Sequence, residues 1–411
     1  MAITGLSHEQ FQKILRENLT PSAHVTTPER LFGREKALRQ IDRALQSQGR
    51  QIFIYGDRGV GKSSVALTAA YLHNDSSHEP IYVICGETDT FWTVVQSIGK
   101  KVIEIEKRFE TPAKASGFGG TVLGIGGNYQ PATPGSAEIP LPTTINDALD
   151  IIRYVSSKRS GNLIIIIDEM ERLVNTQERA RFAEFIKNIP ELETRVKFIF
   201  SGIGTTVSEL IGAHQSAGRI LETIELEKLH HDALWKIIEG VATKLNVEVD
   251  REKLIRIGQL SDGFPHYVHL LGECLFWNVF DDPEPVTKVG IEHFKEAVKG
   301  ALERAEPNLK YTYRRATEKT RNTDDYQEAL WALADTSSDR RQLLEIYNAS
   351  YTPLMMKRTG RNPLARETFN QRLLSLKKES HGSVVIGYGS GWFGFRENIL
   401  RGYVRLVAER N

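Results

Sequence analysis

Cysteine is nearly absent: Cys85 and Cys274 are the only two in 411 residues. Both sit in apolar stretches, which excludes a disulfide scaffold or a cysteine metal cluster and points to two buried thiols in a reduced compartment. Neither sign of charge dominates. Lys plus Arg number 53 against 52 for Asp plus Glu, a net charge of +1. The chain is therefore not basic throughout, although a local basic face stays open. No apolar run approaches the roughly 18 residues needed to cross a bilayer. A hydrophobic leader is also missing: Ser7-His8-Glu9-Gln10 reads as a helix-capping box. The expectation is a cytoplasmic protein without membrane attachment. No long internal repeat points to a solenoid. What is present is a globular balance, 40% hydrophobic and 26% charged, in a length that fits two or three domains.

The spacing predicts helices over 7–18 and 35–47. Apolar bursts follow at 51–55, 80–85, 163–167, 196–200 and 222–226, separated by helical stretches. Strands apolar on both faces that alternate with helices imply an α/β fold, a parallel sheet covered on both sides. Residues 111–143 break the rhythm. They are rich in glycine and proline, Gly117, Gly124, Pro131 and Pro140 among them, and read as an insertion within the sheet domain. Four helices are expected over 231–243, 250–260, 266–280 and 290–305. Beyond 324 come helices at 325–335, 339–348 and 363–378, a glycine-rich β-like stretch at 383–395 and a helix at 397–408. Three helices followed by a β-hairpin is the order of a winged helix-turn-helix. The expected domains are a helical segment 1–27, a sheet domain 28–228, a helical lid and linker 229–321, and a winged-helix domain 322–411.

The most specific motif is Gly56-Asp57-Arg58-Gly59-Val60-Gly61-Lys62-Ser63, followed by Ser64. It lies between a predicted strand and a predicted helix. Its glycines let backbone N–H groups curl around phosphate oxygens, and the helix N-terminus adds positive potential. Lys62 reaches the β- and γ-phosphates of a nucleotide, and Ser63 is placed to ligate Mg²⁺. The second motif is Leu163–Ile167 followed by Asp168-Glu169, a buried strand ending in two carboxylates. In an open parallel sheet that end faces the ligand. Asp168 can hold the Mg²⁺ shell and Glu169 can polarise an attacking water. Alone, such a strand end is often a helix cap; beside Lys62-Ser63 it reads as chemistry. Ser201, directly after the strand 196–200, would lie near the γ-phosphate if its strand falls between the other two. A turn-opening serine is the plainer alternative.

These elements, with Leu31-Phe32-Gly33-Arg34-Glu35, Arg219 and Gly263-Phe264-Pro265, resemble the AAA+ ATPases, nearest the branch shared by origin-recognition initiators and the STAND signalling ATPases. The resemblance runs from about 30 to 280 and more weakly over the C-terminal end. It implies that Phe32, Gly33 and Arg34 line the adenine pocket, that Ser201 is a first sensor, and that Arg219 reaches the γ-phosphate of a neighbouring subunit. It also implies a nucleotide-dependent homo-oligomer. Pro265 opens a lid helix where many relatives carry an arginine next; here the residue is His266, so the second sensor departs from the pattern, and slow hydrolysis or retained ADP is implied.

From Thr336 to Asn411 there are thirteen basic residues against six acidic ones. Such an excess on a winged-helix-like unit is the footprint of phosphate-backbone contact. Arg366, Arg372, Lys377 and Lys378 on and after the 363–378 helix are the candidate DNA contacts, and a solvated or protein-binding face is the plainer reading. Two functional classes stay open. One is an ATP-hydrolysing, DNA-engaging protein such as an initiator, loader or mobile-element regulator. The other is a nucleotide switch in signalling or defence, with a protein partner and an autoinhibitory winged helix. A P-loop kinase fits less well, because nothing after the phosphate loop offers an acceptor pocket.

Overall fold

The computed structural model describes Ile3 and residues 5–74, 79–109, 139–192, 195–213, 216–319, 321–358 and 360–410. Most of the expected insertion at 111–143 lies outside the described residues. In chain order the elements begin with α1 (His8–Asn18), α2 (Glu35–Gln46), β1 (Gln51–Tyr55), α3 (Lys62–His73), β2 (Ile81–Ile84), α4 (Phe91–Phe109) and α5 (Ile145–Ser157). Then come β3 (Leu163–Asp168), α6 (Thr176–Asn188), β4 (Val196–Gly202), α7 (Gly204–Ala213), α8 (Ala217–Ile220) and β5 (Leu221–Glu225). A helical run follows: α9 (His231–Leu245), α10 (Arg251–Ser261), α11 (Pro265–Phe280), α12 (Ile291–Arg304) and α13 (Pro307–Thr317). The C-terminal part holds α14 (Thr323–Ala334), β6 (Arg341–Gln342), α15 (Leu343–Glu345), a π-helical turn Ile346–Tyr351, α16 (Thr352–Lys357), α17 (Arg366–Leu376), β7 (Val385–Gly387), β8 (Trp392–Phe395) and α18 (Asn398–Arg410). Among the described residues no helix is long and apolar enough to cross a membrane.

The chain divides into two compact units. One comprises residues 37–55 and 66–225. It holds a five-stranded parallel sheet in the order β2-β3-β4-β1-β5. The apolar bursts of the sequence form its strands. β3 is buried at every position because helices cover both faces, which is why Leu163–Ile167 shows no alternation. Phe91, Phe182, Phe185, Phe198 and Phe200 pack edge-to-face and stacked in its core. Cys85 is one of the core residues, a free buried thiol as expected.

The other unit comprises residues 1–36, 56–65 and 226–411. Here α1 starts at the expected capping box, with Ser7 Oγ accepting from the Gln10 amide at 3.2 Å and Gln10 accepting from the Ser7 amide at 2.9 Å. Phe11 on α1 stacks on Phe280 of α11 at 4.2 Å and meets Trp277 edge-on. In the C-terminal part, β6, β8 and β7 form an antiparallel sheet in that order. The expected helix at 339–348 is instead β6, a short helix and a π-helical turn. Arg341 accounts for that change. Its guanidinium is buried and donates to the Ala332 carbonyl (2.7 Å), Ser350 Oγ (2.9 Å) and Glu345 (3.0 Å), pinning an extended segment beside β8.

Candidate active site

In the unit with the phosphate loop, the chain leaves β1 at Tyr55 and turns at Gly56, whose φ is +153°. A Cβ on Gly56 would come within 2.3 Å of the Leu226 carbonyl, so only glycine fits that turn. Gly59 and Gly61 take φ of +85° and +96°, and Lys62 opens α3. The Lys62 ammonium donates to the carbonyls of Gly56 and Asp57, each at 3.0 Å. It therefore arches back over its own loop, where phosphate oxygens can accept from it as well. Ser64 Oγ accepts from the Val25 amide at 3.1 Å, tying the loop to the N-terminal segment. Arg34 is buried and donates to the Val60 carbonyl at 2.6 Å and to the Glu227 carbonyl at 2.9 Å. Its burial pushes its pKa down to about 10.

A second set of polar groups surrounds the start of α11. His266 Nδ1 is 2.9 Å from the Pro21 carbonyl, and His269 Nδ1 accepts from the Thr20 amide at 3.3 Å. The buried atoms Thr20 Oγ1, Arg30 Nε and Nη2, and His266 Nε2 have no protein partner among the described residues. Orphaned buried donors and acceptors of this kind mark a place for a polar ligand or water. Pro265 is the first residue of α11 and fits its fixed φ there. Phe32 is half-buried and Gly33 exposed just before α2.

The loop also meets the C-terminus. Asn398 Nδ2, at the start of α18, donates to Asp57 Oδ2 at 2.8 Å. Arg58 faces Glu306 at 3.6 Å and Glu397 at 4.0 Å. A Cβ on Gly59 would lie 2.7 Å from Ile399 Cδ1, so the Ile399 side chain seats directly on the loop backbone. The buried Tyr267 hydroxyl donates to the Ile399 carbonyl at 2.7 Å. Deeper along α18, buried Arg401 pairs with Asp262 at 2.6 Å and Asp339 at 2.9 Å. Lys228 and Arg405 join the same carboxylates.

In the sheet unit, the carboxyl end of β3 carries a second cluster. Asp168 is 1% exposed. Its Oδ1 accepts from the Ser201 hydroxyl and, at 2.8 Å, from the Glu169 amide, and its Oδ2 accepts from the Tyr82 hydroxyl at 2.7 Å. Ser201 reaches Asp168 because β4 lies beside β3, between it and β1. Tyr82 was not among the expected residues. Its role follows from the β2–β3 register, in which Tyr82 pairs with Ile166 two residues before Asp168; a tyrosine in a short apolar run gives no such signal. Glu169 takes a left-handed φ of +56° and pairs with Arg172 at 3.1 Å. A non-glycine residue there is strained, as is common where a side chain is aimed for chemistry.

The remaining expected residues are more scattered. Arg219 is exposed on α8, just before β5. Arg366 is exposed and bonds its neighbour Glu367 at 3.2 Å, and Lys377 and Lys378 are exposed after α17. Arg372 instead binds Asp325 at 3.0 Å and lies over the Tyr326 ring. Arg361 bonds Asp324, Asp325 and Glu328, and Arg358 also faces Glu328. Much of the basic excess is thus used inside the unit, which a charge count along the sequence does not reveal.

Residues 31–271 match the model of an ATPase domain found predominantly in Archaea. The chain belongs to that ATPase family. The Walker-type ATPase of Pyrococcus abyssi is similar in fold at 15% identity, with 93% of this chain and 99% of that one covered and a TM-score of 0.51. Cdc6p of Pyrobaculum aerophilum matches at 13% identity, 97% and 99% coverage and a TM-score of 0.48. The RuvB Holliday junction branch migration motor of Thermotoga maritima matches at 13%, 94% and 97%, and 0.44. No curated protein sequence matches this chain. Family membership makes the chain a P-loop ATPase that binds and hydrolyses ATP.

Proposed function

We propose that this ATPase transmits its nucleotide state to its C-terminal part, and that this part is a winged helix engaging double-stranded DNA. The observation that carries the proposal is the seating of Asn398 and Ile399 on the phosphate loop. A loop that rearranges around phosphate must shift the groups bonded to Asp57 and Arg58, and α18 follows β8 of the small sheet with two residues between. Ligand-dependent motion of this kind needs a differential contact, and this one is direct.

In the proposed mechanism the loop amides and Lys62 take the phosphate chain. Phe32 and Gly33 lie at the nucleobase end, and Pro265 and His266 close over it. Asp168 would suit a hard cation, because three donors orient its two oxygens and leave lone-pair capacity to spare; in the loop, Ser63 is the residue that would hold Mg²⁺. Bound Mg²⁺ supplies charge neutralisation at the β- and γ-phosphates. Glu169 takes the proton of the attacking water, Ser201 senses the γ-phosphate side through Asp168, and Arg219 acts across a homo-oligomer interface. Arg366, Lys377 and Lys378 support DNA contact, with Arg372 bracing α17 against α14 rather than reaching phosphate.

A second reading is favoured by the same seat. If α18 holds the loop closed, the protein is a nucleotide switch that a protein partner releases. Measuring ATP hydrolysis with and without duplex DNA at two salt concentrations separates the readings. Stimulation that weakens steeply with salt supports DNA engagement. No binding or stimulation at low salt, with ADP or with an ATP analogue, contradicts it and leaves the switch.

A further inference from the structure

Arg34 sits where the family resemblance puts an adenine contact, yet its guanidinium is committed to two backbone carbonyls. Gly33, at φ +71°, makes this approach possible: a Cβ there would lie 2.8 Å from Ala233 Cβ and 3.1 Å from Leu229. The chain passes close to α9 at that point, and the next side chain is buried at 7% exposure. From there Arg34 reaches two backbone carbonyls, Val60 in the loop at 2.6 Å and Glu227 just after β5 at 2.9 Å.

The consequence follows from peptide geometry. Every described peptide bond is trans, and a trans peptide carries its C=O and N–H on opposite sides. With the Val60 carbonyl held toward Arg34, the Gly61 N–H points away from it. This peptide turns about ψ of Val60 and φ of Gly61, and Gly61, at φ +96°, lacks the Cβ that would confine the second of these rotations. A rotated peptide would present a carbonyl where the loop needs an amide donor for a phosphate oxygen. The guanidinium, charged near neutral pH, holds one orientation.

We propose that Arg34 is a positioning residue for the phosphate loop: it locks the Val60–Gly61 peptide with its N–H on the phosphate-binding side, and couples that peptide to Glu227. The inference rests on the reading of residues 56–63 as the phosphate cradle, and it replaces the adenine role for this residue. It makes the defect of an Arg34 variant independent of the base.

The test is isothermal titration of the full chain with ATP, GTP and inorganic tripolyphosphate, in the parent, Arg34→Ala, Arg34→Lys and Lys62→Ala. Arg34→Ala is expected to weaken all three ligands by a common factor of about ten, leaving the ATP-to-tripolyphosphate ratio unchanged. Arg34→Lys, able to reach one carbonyl, falls between. Weakening confined to ATP, or no weakening, overturns the proposal. If Arg34→Ala fails to fold by circular dichroism, Arg34→Lys carries the same comparison with the same two overturning results. Lys62→Ala separates the levels. If it loses tripolyphosphate while the Arg34 variants do not, the cradle stands and the Arg34 role falls; if it retains parental affinity for every ligand, the cradle reading itself fails and the Arg34 role with it.

Discussion

Replacing Tyr82 by Phe tests the carboxylate cluster at its least obvious member. The substitution keeps the ring and removes one hydroxyl, which donates to Asp168 Oδ2 at 2.7 Å. Asp168 is 1% exposed, so water does not readily take the vacated place. A hydrogen bond to a buried charged group contributes about 1.5–3 kcal/mol. For a unit of this size each kcal/mol moves the melting temperature by roughly 2–4 °C, giving an expected fall of about 3–12 °C by scanning calorimetry. The freed oxygen also loses its fixed direction, so the Mg²⁺ concentration for half-maximal ATP hydrolysis should rise several-fold. Ser201→Ala removes the donor to the other oxygen, and the double variant should deviate from additivity because both act on one carboxylate. A Tyr82→Phe protein that melts within about 1 °C of the parent, with an unchanged Mg²⁺ profile, would refute the reasoning.

Three further outcomes are expected. Glu169→Gln keeps shape but cannot accept a proton, so ATP should still bind while turnover falls about a hundredfold; parental turnover would move the base elsewhere. His269 is buried in α11, and burial, then the charges of Arg30 and His266, push its pKa down to about 4. Between pH 6.5 and 4 the unfolded chain therefore takes up a proton that the folded one refuses, so stability should fall with pH across that window by on the order of 2–3 kcal/mol. His269→Asn should flatten that part of the profile in denaturant melts, and an unchanged slope would place the proton on another group. Arg219→Ala should leave ATP binding intact and lower hydrolysis only under conditions where the chain assembles; mixing with Lys62→Ala protein should then restore part of it, and full activity in a strictly monomeric Arg219→Ala protein would end that role.

Much of the sheet unit was legible because its signals are local. Five apolar bursts became five strands, the inner β1, β3 and β4 almost wholly buried and the edge strands β2 and β5 only in part, and the glycine-lysine motif needed only a strand before it and a helix after it. What the sequence hid depends on register and on charge pairing. Tyr82 reaches Asp168 only through the β2–β3 alignment. Arg372 looked like a free cation because Asp325, its partner, lies 47 residues away. The 339–348 segment read as helix by spacing, whereas the buried fork of Arg341 draws it into a strand and a π-helical turn. The seat of Ile399 on Gly59 joins residues 340 apart, beyond any local pattern.

The most direct test of the account is amide hydrogen exchange on the full chain with ADP and with a non-hydrolysable ATP analogue. The amides of Gly56–Ser63 and those of the first turn of α18, Asn398–Gly402, should change protection together between the two nucleotides, because Asp57, Arg58 and Gly59 are held by Glu397, Asn398 and Ile399. A loop that changes with nucleotide while the start of α18 does not would contradict transmission from the phosphate loop to the C-terminal part.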